Sequence, residues 1–404
     1  MDKIKPPELE ISLGIETYKS KTAGIEGKIK TIPEDFIVEE IPDDGTTLEL
    51  DREYPANDAI PGQYTVFTMQ KKNWDTIRAI KEISKRLHVS EKRFGYAGTK
   101  DKRAVTIQRA SVMNVSIDKL KKLNIKDIKL GNSQYDDSGV ELGDLKGNRF
   151  TITLRGIEND FDEIETRVKK IIEELNGMFP NFYGVQRFGT TRPITHLVGK
   201  EILRKNFEKA IMIYLSEVFL DESQEAISAR RFLSETKDFK ESLKRFPTHL
   251  RYELAILNHL VNNGKDFIGA LRKLPPRLRM MFIHAYQGYV FNGALSYCID
   301  NELQVERLPL VGFDTGMDDI SARILKEEGI SKEDFKIREM PELSSKGEYR
   351  NCFQCFEDFE IVKISDDDLN QNKRKIILRF SLNKGSYATA LLREFMKNEY
   401  WRDN

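Results

Sequence analysis

The sequence predicts an α+β fold in which a mostly helical segment interrupts a domain built from both strands and helices. Three observations support this class. Strand-like and helix-like hydrophobic patterns alternate up to residue 177. Helical patterns dominate residues 178–345, and a strand followed by a helix returns after residue 360. We therefore expect residues 1–177 and 346–404 to form one domain and residues 178–345 to form an insertion domain.

Several segments of the first domain have the short β-branched and aromatic runs that are typical of strands. KIKTIPEDFIV at residues 28–38 predicts a strand, a proline turn and the start of a second strand. QYTVFTM at 63–69 and VTIQRASV at 105–112 predict two more. Apolar and polar side chains alternate over 150–155, which predicts a strand with one buried face. KIILRFSL at 375–382 predicts the last strand.

Three helices are predicted beside these strands from apolar residues spaced three or four apart. Asn73 is expected to open the first, whose apolar face carries Trp74, Ile77, Ile80, Ile83 and Leu87. The second ends at the C-cap signal Asn176-Gly177 and carries Phe161, Ile164, Val168, Ile171 and Leu175. Ser386 is expected to cap the last, which carries Leu391, Leu392, Phe395 and Met396.

The charges are balanced overall but segregated along the chain. Among 404 residues, 65 Lys and Arg balance 65 Asp and Glu, which argues against a globally basic nucleic-acid-binding protein. The 39% of hydrophobic residues excludes a disordered chain. Residues 34–51 hold eight acids and no base, whereas basic residues are in excess in segments 92–109, 119–129, 230–251 and 271–279. Each segment alone is most often a solvated surface, but together they favour a local basic cleft for phosphates.

No sequence feature predicts secretion, a membrane span or a cofactor. The N-terminus lacks the apolar core of a signal peptide, and no apolar run reaches the roughly 18 residues of a membrane span. We therefore expect a cytoplasmic protein without membrane contact. The motifs GxxxxGKS/T, GxGxxG and GxSxG are absent, so we expect no small-molecule cofactor.

The three cysteines are too few for a disulfide framework. Cys352 and Cys355 form a CxxC pair, with Cys298 far upstream, but a structural zinc site normally needs four ligands. We expect these cysteines to be small buried residues and expect no metal. The sequence gives no indication of the oligomeric state.

Asp101 is the single acid of the basic segment 92–109 and follows Gly98-Thr99-Lys100. Neighbouring cations hold a carboxylate ionised. An ionised carboxylate on a loop beside an electropositive groove can act as a nucleophile toward a nucleic-acid base or sugar. The alternative is a Lys-Asp-Lys turn at the surface, and the residues alone favour that alternative.

Six segments resemble the successive motifs of the TruD family of tRNA pseudouridine synthases. The loop GYAGTKDKRAVTIQ at 95–108 is similar to that family's signature. The other five, in chain order, are KTIPEDFIVEE at 30–40, LKGNRFTITLR at 145–155, PNFYGVQRFG at 180–189, AYQGYVFN at 285–292 and FSLNKGSYATALLREF at 380–395. They span most of the chain, and six motifs in order are a specific signal. The length and the lysine-rich insert resemble the archaeal branch.

The resemblance implies a fold and a reaction. It implies a pseudouridine synthase catalytic domain with a mixed, largely antiparallel sheet flanked by helices, and a family-specific insertion over about 178–345. The implied reaction detaches the base of a tRNA uridine, turns it and rejoins it through carbon. The implied substrate position is uridine 13 of the D arm. The family needs neither metal nor cofactor.

The resemblance also implies a set of site residues. The family's catalytic aspartate falls on Asp101, and Lys30 matches the position that pairs with it. Substrate contacts fall on Phe36, Asn148, Phe150 and Tyr387. A target base must leave the helical stack to react, so it needs a stacking partner, and Phe150 is the candidate. Asn148 offers a donor and an acceptor to the uracil edge or to the Asp101 loop.

Alternatives stay open for the residues and for the function. Phe36 and Phe150 lie on predicted strands, where an alternating phenylalanine is more often core than ligand contact. Asp101 could attack the sugar carbon, add to the uracil ring or remove a sugar proton. The same basic segments would also serve a non-catalytic tRNA-binding protein or RNA chaperone, whereas a purely structural protein would show no salt-dependent RNA binding.

Overall fold

The structure is a computed structural model that describes residues 4–54, 62–219 and 221–398. The chain divides into two compact units. One consists of Met1–Lys19 and Pro180–Phe353, and the other of Ser20–Phe179 and Gln354–Asn404. We call the first the helical unit and the second the sheet unit. The assignment of a catalytic domain and an insertion domain to these parts of the chain stays a prediction.

The described residues form strands and helices whose bounds differ from the predicted segments by a few residues. The strands are β1 (Phe36–Ile41), β2 (Tyr64–Lys72), β3 (Phe94–Tyr96), β4 (Val105–Met113), β5 (Ile128–Asp136), β6 (Gly147–Ile157), β7 (Met178–Pro180), β8 (Arg307–Leu310), β9 (Glu348–Asn351), β10 (Phe353–Asp366) and β11 (Arg374–Asn383). The helices are α1 (Glu8–Ser12), α2 (Thr76–Leu87), α3 (Ile117–Lys121), α4 (Phe161–Leu175), α5 (Thr195–Leu203), α6 (Phe207–Ser216), α7 (Gln224–Thr236), α8 (Phe239–Arg245), α9 (Arg251–Asn263), α10 (Phe267–Leu271), α11 (Pro276–Asp300), α12 (Asp319–Glu327) and α13 (Ala388–Met396).

A mixed sheet organises the sheet unit. Its strand order is β5-β2-β4-β1-β6-β11-β10-β7, and β3 pairs with β4. β1 and β4 run parallel, whereas β1 with β6, β6 with β11, and β2 with both β4 and β5 run antiparallel. The prediction of an α+β fold with a mixed, largely antiparallel sheet flanked by helices is confirmed.

Two helix-covered cores hold this sheet in place. α4 and α13 contribute Val168 and Phe395 to a core that also contains Phe150 and Phe380 from β6 and β11. α2 packs Ile80 and its other buried apolar residues on β2 and β4. Burying such side chains contributes about 1.5–3 kcal/mol each, so the two cores fix the strands that carry the predicted site.

The helical unit is built around the long helix α11. Its core joins buried side chains of α5, α6, α9 and α11, among them Ile202, Ile211, Leu257 and Tyr286. A two-stranded antiparallel pair, β8 with β9, is the sheet that this unit contains among the described residues. No described helix is both long enough and apolar enough to cross a membrane.

The start of the first helix differs from the prediction. Asn73 has a positive φ of 63° and lies before the helix, and the cap is Asp75, whose side chain accepts the N–H of Arg78. Ile77 is 57% exposed, so it does not belong to the apolar face. An ionised acceptor beside the free N–H groups of a first turn is a strong N-cap, which explains the shift.

The second and last helices need smaller corrections. α4 ends as predicted with Asn176 in the left-handed conformation at φ 47°, but Phe161 is 40% exposed. At α13 the N-cap position is Tyr387, and the hydroxyl of Ser386 has no hydrogen-bond partner among the described residues, so the predicted Ser386 cap is wrong.

Two further expectations are corrected by burial. Cys298 and Cys352 are buried, but Cys355 is exposed on β10. On β6 the polar positions Thr153 and Arg155 are buried together with the apolar ones, and Arg155 is buried in ion pairs with Asp35 and Asp367.

Candidate active site

The predicted catalytic carboxylate lies on the loop between β3 and β4, and its side chain is 51% exposed. Asp101 Oδ2 accepts a hydrogen bond of 2.8 Å from Nζ of Lys30. Lys30 is the donor of this contact. Its side chain is 9% exposed, and its backbone has a positive φ of 55°. The structure therefore brings the predicted pair together, with the carboxylate accessible and the ammonium group fixed.

The same ammonium group connects Asp101 to the aromatic residues of the predicted site. Lys30 Nζ lies 4.4 Å from the ring centre of Phe36, the distance of a cation–π contact. Phe36 meets Phe150 edge to face at 6.1 Å, and Phe150 stacks on Phe380 at 5.6 Å. Asp101, Lys30, Phe36 and Phe150 thus form one continuous row of contacts.

The rings of Phe36 and Phe150 are buried, whereas the carboxylate of Asp101 is exposed. Phe36 is 3% exposed and Phe150 is 7% exposed, and both belong to the hydrophobic core of the sheet unit. In this arrangement little of either ring is open to a base. The role of Phe150 as a stacking partner stays a prediction that requires the ring to become more accessible.

Asn148 lies on the same face of the sheet as Phe150, because side chains two apart on a strand point the same way. Strand pairing places Asn148 opposite Glu40 of β1, and Phe150 opposite Val38. The side-chain oxygen Oδ1 of Asn148 is buried and has no hydrogen-bond partner among the described residues. A buried acceptor without a donor is rare in folded proteins, which is consistent with a group that binds substrate.

Tyr387 lies apart from this row of contacts. It occupies the N-cap position of α13, and its side chain is 50% exposed. No described contact joins Tyr387 to Asp101, Lys30 or Phe150. An exposed ring can accept a base without rearrangement, so the substrate-contact prediction for Tyr387 fits its exposure.

Sequence reasoning missed the residues that fix the Asp101 loop from within the sheet. Gln108 on β4 donates from Nε2 to the carbonyl of Gly98 at 2.9 Å, and its Oε1 accepts the hydroxyl of Thr76 at 2.8 Å. The same Thr76 hydroxyl accepts the N–H of Lys100 at 2.9 Å. Residues 98–100, which lead to Asp101, are therefore tied to α2 and β4.

A buried ion pair holds the residue that precedes Asp101. Lys100 Nζ donates to Oε2 of Glu40 at 2.7 Å, and the two side chains are 5% and 0% exposed. The other oxygen of Glu40 accepts the N–H of Arg109 at 2.8 Å. Burying a charge is costly unless the charge is paired or hydrogen-bonded. Lys100 therefore anchors the loop from inside the protein, although the charge sum of segment 92–109 treats it as a surface cation.

Lys71 is a further missed residue. It is 1% exposed at the end of β2, and its ammonium group donates to backbone carbonyls, including that of Asp101 at 3.3 Å. The alternation of side chains along β2 indicates that Lys71 is buried, because Phe67 and Met69 occupy the two preceding positions of the same face and are buried. A polar residue that continues an inward-facing series is a candidate for a buried functional group. Glu40 continues the series of Phe36 and Val38 in the same manner.

Within the described residues, no group of three or more His, Cys, Asp or Glu side chains is placed to hold a metal ion. The thiols of Cys298 and Cys352 are buried, which raises their pKa values to about 11 and about 12. A thiol in this state is a poor nucleophile.

The chain is similar to proteins of one family along its whole length. A family model described as tRNA pseudouridine synthase D (TruD) matches residues 12–312 and 307–395. Curated relatives described as probable tRNA pseudouridine synthase D include one from Methanosarcina acetivorans, 38% identical over 98% of each chain, and one from Methanosarcina mazei, 39% identical over 97% of this chain and 98% of its own. The crystal structure of a Methanosarcina mazei protein assigned to the same family superposes with a TM-score of 0.86 at 38% identity, over 99% of this chain and 100% of that chain. The chain therefore belongs to the TruD family of tRNA pseudouridine synthases.

Proposed function

We propose that this protein isomerises a uridine of tRNA, uridine 13 of the D arm, to pseudouridine, with Asp101 as the catalytic residue. One observation carries the proposal. An accessible carboxylate is held at 2.8 Å by a lysine whose side chain is 9% exposed, on the loop that matches the family signature. A surface Lys-Asp-Lys turn would not require a buried lysine from a distant segment, so the geometry favours the functional interpretation of Asp101.

The proposed reaction needs a nucleophile and few other groups. The bond between C1′ and N1 of the uridine breaks, a bond between C1′ and C5 forms, the proton leaves C5, and N1 gains a proton. Asp101 can attack C1′, add to the uracil ring or remove a sugar proton. Lys30 orients the carboxylate in each.

The remaining predicted residues have distinct proposed roles. Asn148 offers its unpartnered Oδ1 and its amide N–H groups to the uracil edge. Phe36 supports Lys30 through the cation–π contact. Phe150 stacks on the flipped base, and Tyr387, which is 50% exposed, contacts the nucleotide from α13.

Asp101→Asn is the variant that tests the assignment. It keeps the shape and a hydrogen bond to Lys30 but removes the nucleophile. We expect pseudouridine formation to fall by about 10³-fold or more, the scale on which covalent catalysis acts, while tRNA affinity changes by about threefold at most. The measurement is pseudouridine mapping and single-turnover kinetics on an unmodified tRNA transcript, with Lys102→Met as an exposed neighbouring control.

The position and the alternative function are decided by the same assay. Pseudouridine found away from position 13 would contradict the proposed site while leaving the enzyme assignment intact. A non-catalytic tRNA-binding protein or chaperone would bind the transcript and form no pseudouridine at all. Near-normal rates in Asp101→Asn would show that another group does the chemistry. We propose a cytoplasmic location, where the tRNA substrate and three unpaired cysteines are both expected.

A further inference from the structure

We propose that Lys71 is a positioning residue for the catalytic loop, and that its buried ammonium group holds the Asp101 backbone where the carboxylate can react. The inference rests on the proposed function of Asp101. No catalytic step passes through Lys71, because its side chain points into the protein and not to the substrate side of the loop.

Lys71 lies deep in the sheet near the end of β2. Strand pairing places it opposite Thr106 of β4 and Ile128 of β5, and the residue is 1% exposed. Lysine is among the residues that are almost never fully buried unless their charge has partners. A buried ammonium at this position therefore has a cost to stability that an apolar residue would avoid.

The partners of the ammonium group are backbone carbonyls. Nζ donates to the carbonyl oxygen of Trp74 at 2.6 Å, of Asp101 at 3.3 Å and of Lys100 at 3.5 Å. An ammonium group has three N–H donors, so the three acceptors match its capacity. One group thereby connects the segment before α2 to two successive peptide units of the catalytic loop.

The charged groups that act on Lys71 lie on the catalytic loop and just before α2, while its strand neighbours Thr106 and Ile128 are uncharged. Burial lowers the pKa of Lys71 to about 8. The carboxylates of Asp101 and Asp75 act in the opposite direction, and the ammonium group of Lys100 adds to the lowering. Lys100 and Asp101 are themselves paired, with Glu40 and Lys30 respectively.

Deprotonation changes what the group can hold. A neutral amine has two N–H donors and a lone pair, so it cannot satisfy three carbonyl acceptors. Above pH 8 the weakest contact is lost first, and the catalytic loop gains freedom. We therefore infer that the rate of the chemical step falls on the alkaline side, while tRNA binding, which depends on surface cations, changes less.

Lys71→Met and Lys71→Arg, compared with Lys72→Met, provide the test. Lys72 is the next residue, faces the other side of the strand and pairs with the exposed Glu34. We expect Lys71→Met to lower the single-turnover rate by about tenfold to hundredfold, the effect of a small misplacement of a reacting group, with the Kd for tRNA within about threefold. The wild type and Lys72→Met should lose activity above pH 8, and this alkaline loss should be absent from Lys71→Met.

The outcomes separate this inference from the proposed function. An unchanged rate in Lys71→Met, or the same alkaline loss in both Lys71→Met and wild type, would overturn the positioning role. Asp101→Asn is assayed in parallel, and its retained activity would instead overturn the proposed function. If Lys71→Met does not fold, amide hydrogen exchange of residues 98–104 in the wild type tests the positioning role instead. Faster exchange at pH 9.5 than at pH 7, after correction for intrinsic rates, supports the inference, and unchanged protection contradicts it.

Discussion

At the scale of single residues, the Lys30–Asp101 pair is asymmetric. The lysine side chain is 9% exposed and the carboxylate is 51% exposed. Exposed ion pairs contribute about 0–1 kcal/mol to stability, so stability does not explain why a lysine is held in a left-handed backbone conformation to reach an aspartate. The proposed catalytic role of Asp101 accounts for it, because that role requires an oriented carboxylate.

Phe150 allows the two interpretations of a buried aromatic to be compared directly. Phe150→Leu and Phe380→Leu remove the two rings of one stacked pair, at 5.6 Å, so both should destabilise the fold by about 1–3 kcal/mol. If Phe150 also stacks on the flipped base, its variant alone should lose about tenfold to hundredfold in kcat/KM, the equivalent of about 1–3 kcal/mol. The measurements are urea unfolding and pseudouridine kinetics.

Equal kinetics in the two leucine variants would assign Phe150 to the core alone. The base would then have to stack elsewhere, and Tyr387, with half of its side chain exposed, is the next candidate. A large kinetic loss in both variants would instead indicate that the packing of the core controls the site as a whole.

At the scale of elements, β6 joins the site to the rest of the sheet unit. Its N-terminal half carries Asn148 and Phe150, and its other half carries Arg155, whose side chain is 6% exposed. Arg155 Nε donates to Asp35 at 2.7 Å, and Nη1 donates to Asp367 and Asp368 at 2.9 Å. Burial opposes the charge of Arg155, but its hydrogen bonds to Asp368, Asp35 and Asp367 prevail and raise its pKa.

This ionic cluster fixes the turn that precedes Phe36. Arg155→Met leaves the buried carboxylates of Asp35 and Asp367 without their cation, so we expect a loss of about 3–5 kcal/mol in the free energy of unfolding. Lys169→Met, which removes one partner of an exposed pair with Glu165 on α4, should cost less than about 1 kcal/mol. Urea unfolding of both variants measures the difference, and a loss below about 1 kcal/mol for Arg155→Met would contradict a structural role for the cluster.

At the scale of the whole molecule, ion pairs determine how many cations of the basic segments are available to a ligand. Many basic residues of the four basic segments are occupied within the protein. Among them, Lys100 pairs with Glu40, Lys129 with Asp51, Arg230 with Glu222 and Glu253, and Arg272 and Arg279 with Glu342. The sum of charges along a segment therefore overstates the cations that are available to RNA.

Segment 271–279 shows which cations remain for tRNA. Lys273 and Arg277 are exposed and form no ion pair with any described residue, whereas Arg272 is bound to Glu342. Because Arg272 is bound to Glu342, Lys273 and Arg277 are the pair to substitute. If this segment contacts phosphates, Lys273→Ala with Arg277→Ala should weaken tRNA binding and lower the slope of log Kd against log salt by about 1–2.

Two lysines outside the basic segments serve as the matched control. Lys265 and Lys326 are exposed in the same helical unit, so Lys265→Ala with Lys326→Ala makes the same change in net charge. Equal effects of the two double variants would mean that total charge, and not segment 271–279, governs binding. Filter binding at several salt concentrations gives both slopes.

Much of the fold was predictable because alternation and helical spacing are local properties. β2, β4, β6 and β11, α4 and α13 all fall on predicted segments. β10 was not predicted, because a strand with a single buried residue lacks a clear apolar face. The motifs name Asp101, Lys30, Phe36 and Phe150 as the residues of the proposed site, but they do not tell which of these groups are exposed and which are buried.

The sequence by itself determined the family, the α+β class and the position of the carboxylate in a basic loop, because motifs and periodicity are carried by neighbouring residues. Only the tertiary structure decided which charges are free. Glu40 and Lys100 are far apart in the sequence and share one buried ion pair, and Lys71 reaches the Asp101 backbone from another strand. Net charge counts all of these groups alike, whereas burial, which depends on how distant segments pack, separates the cations that hold the loop from those that meet solvent.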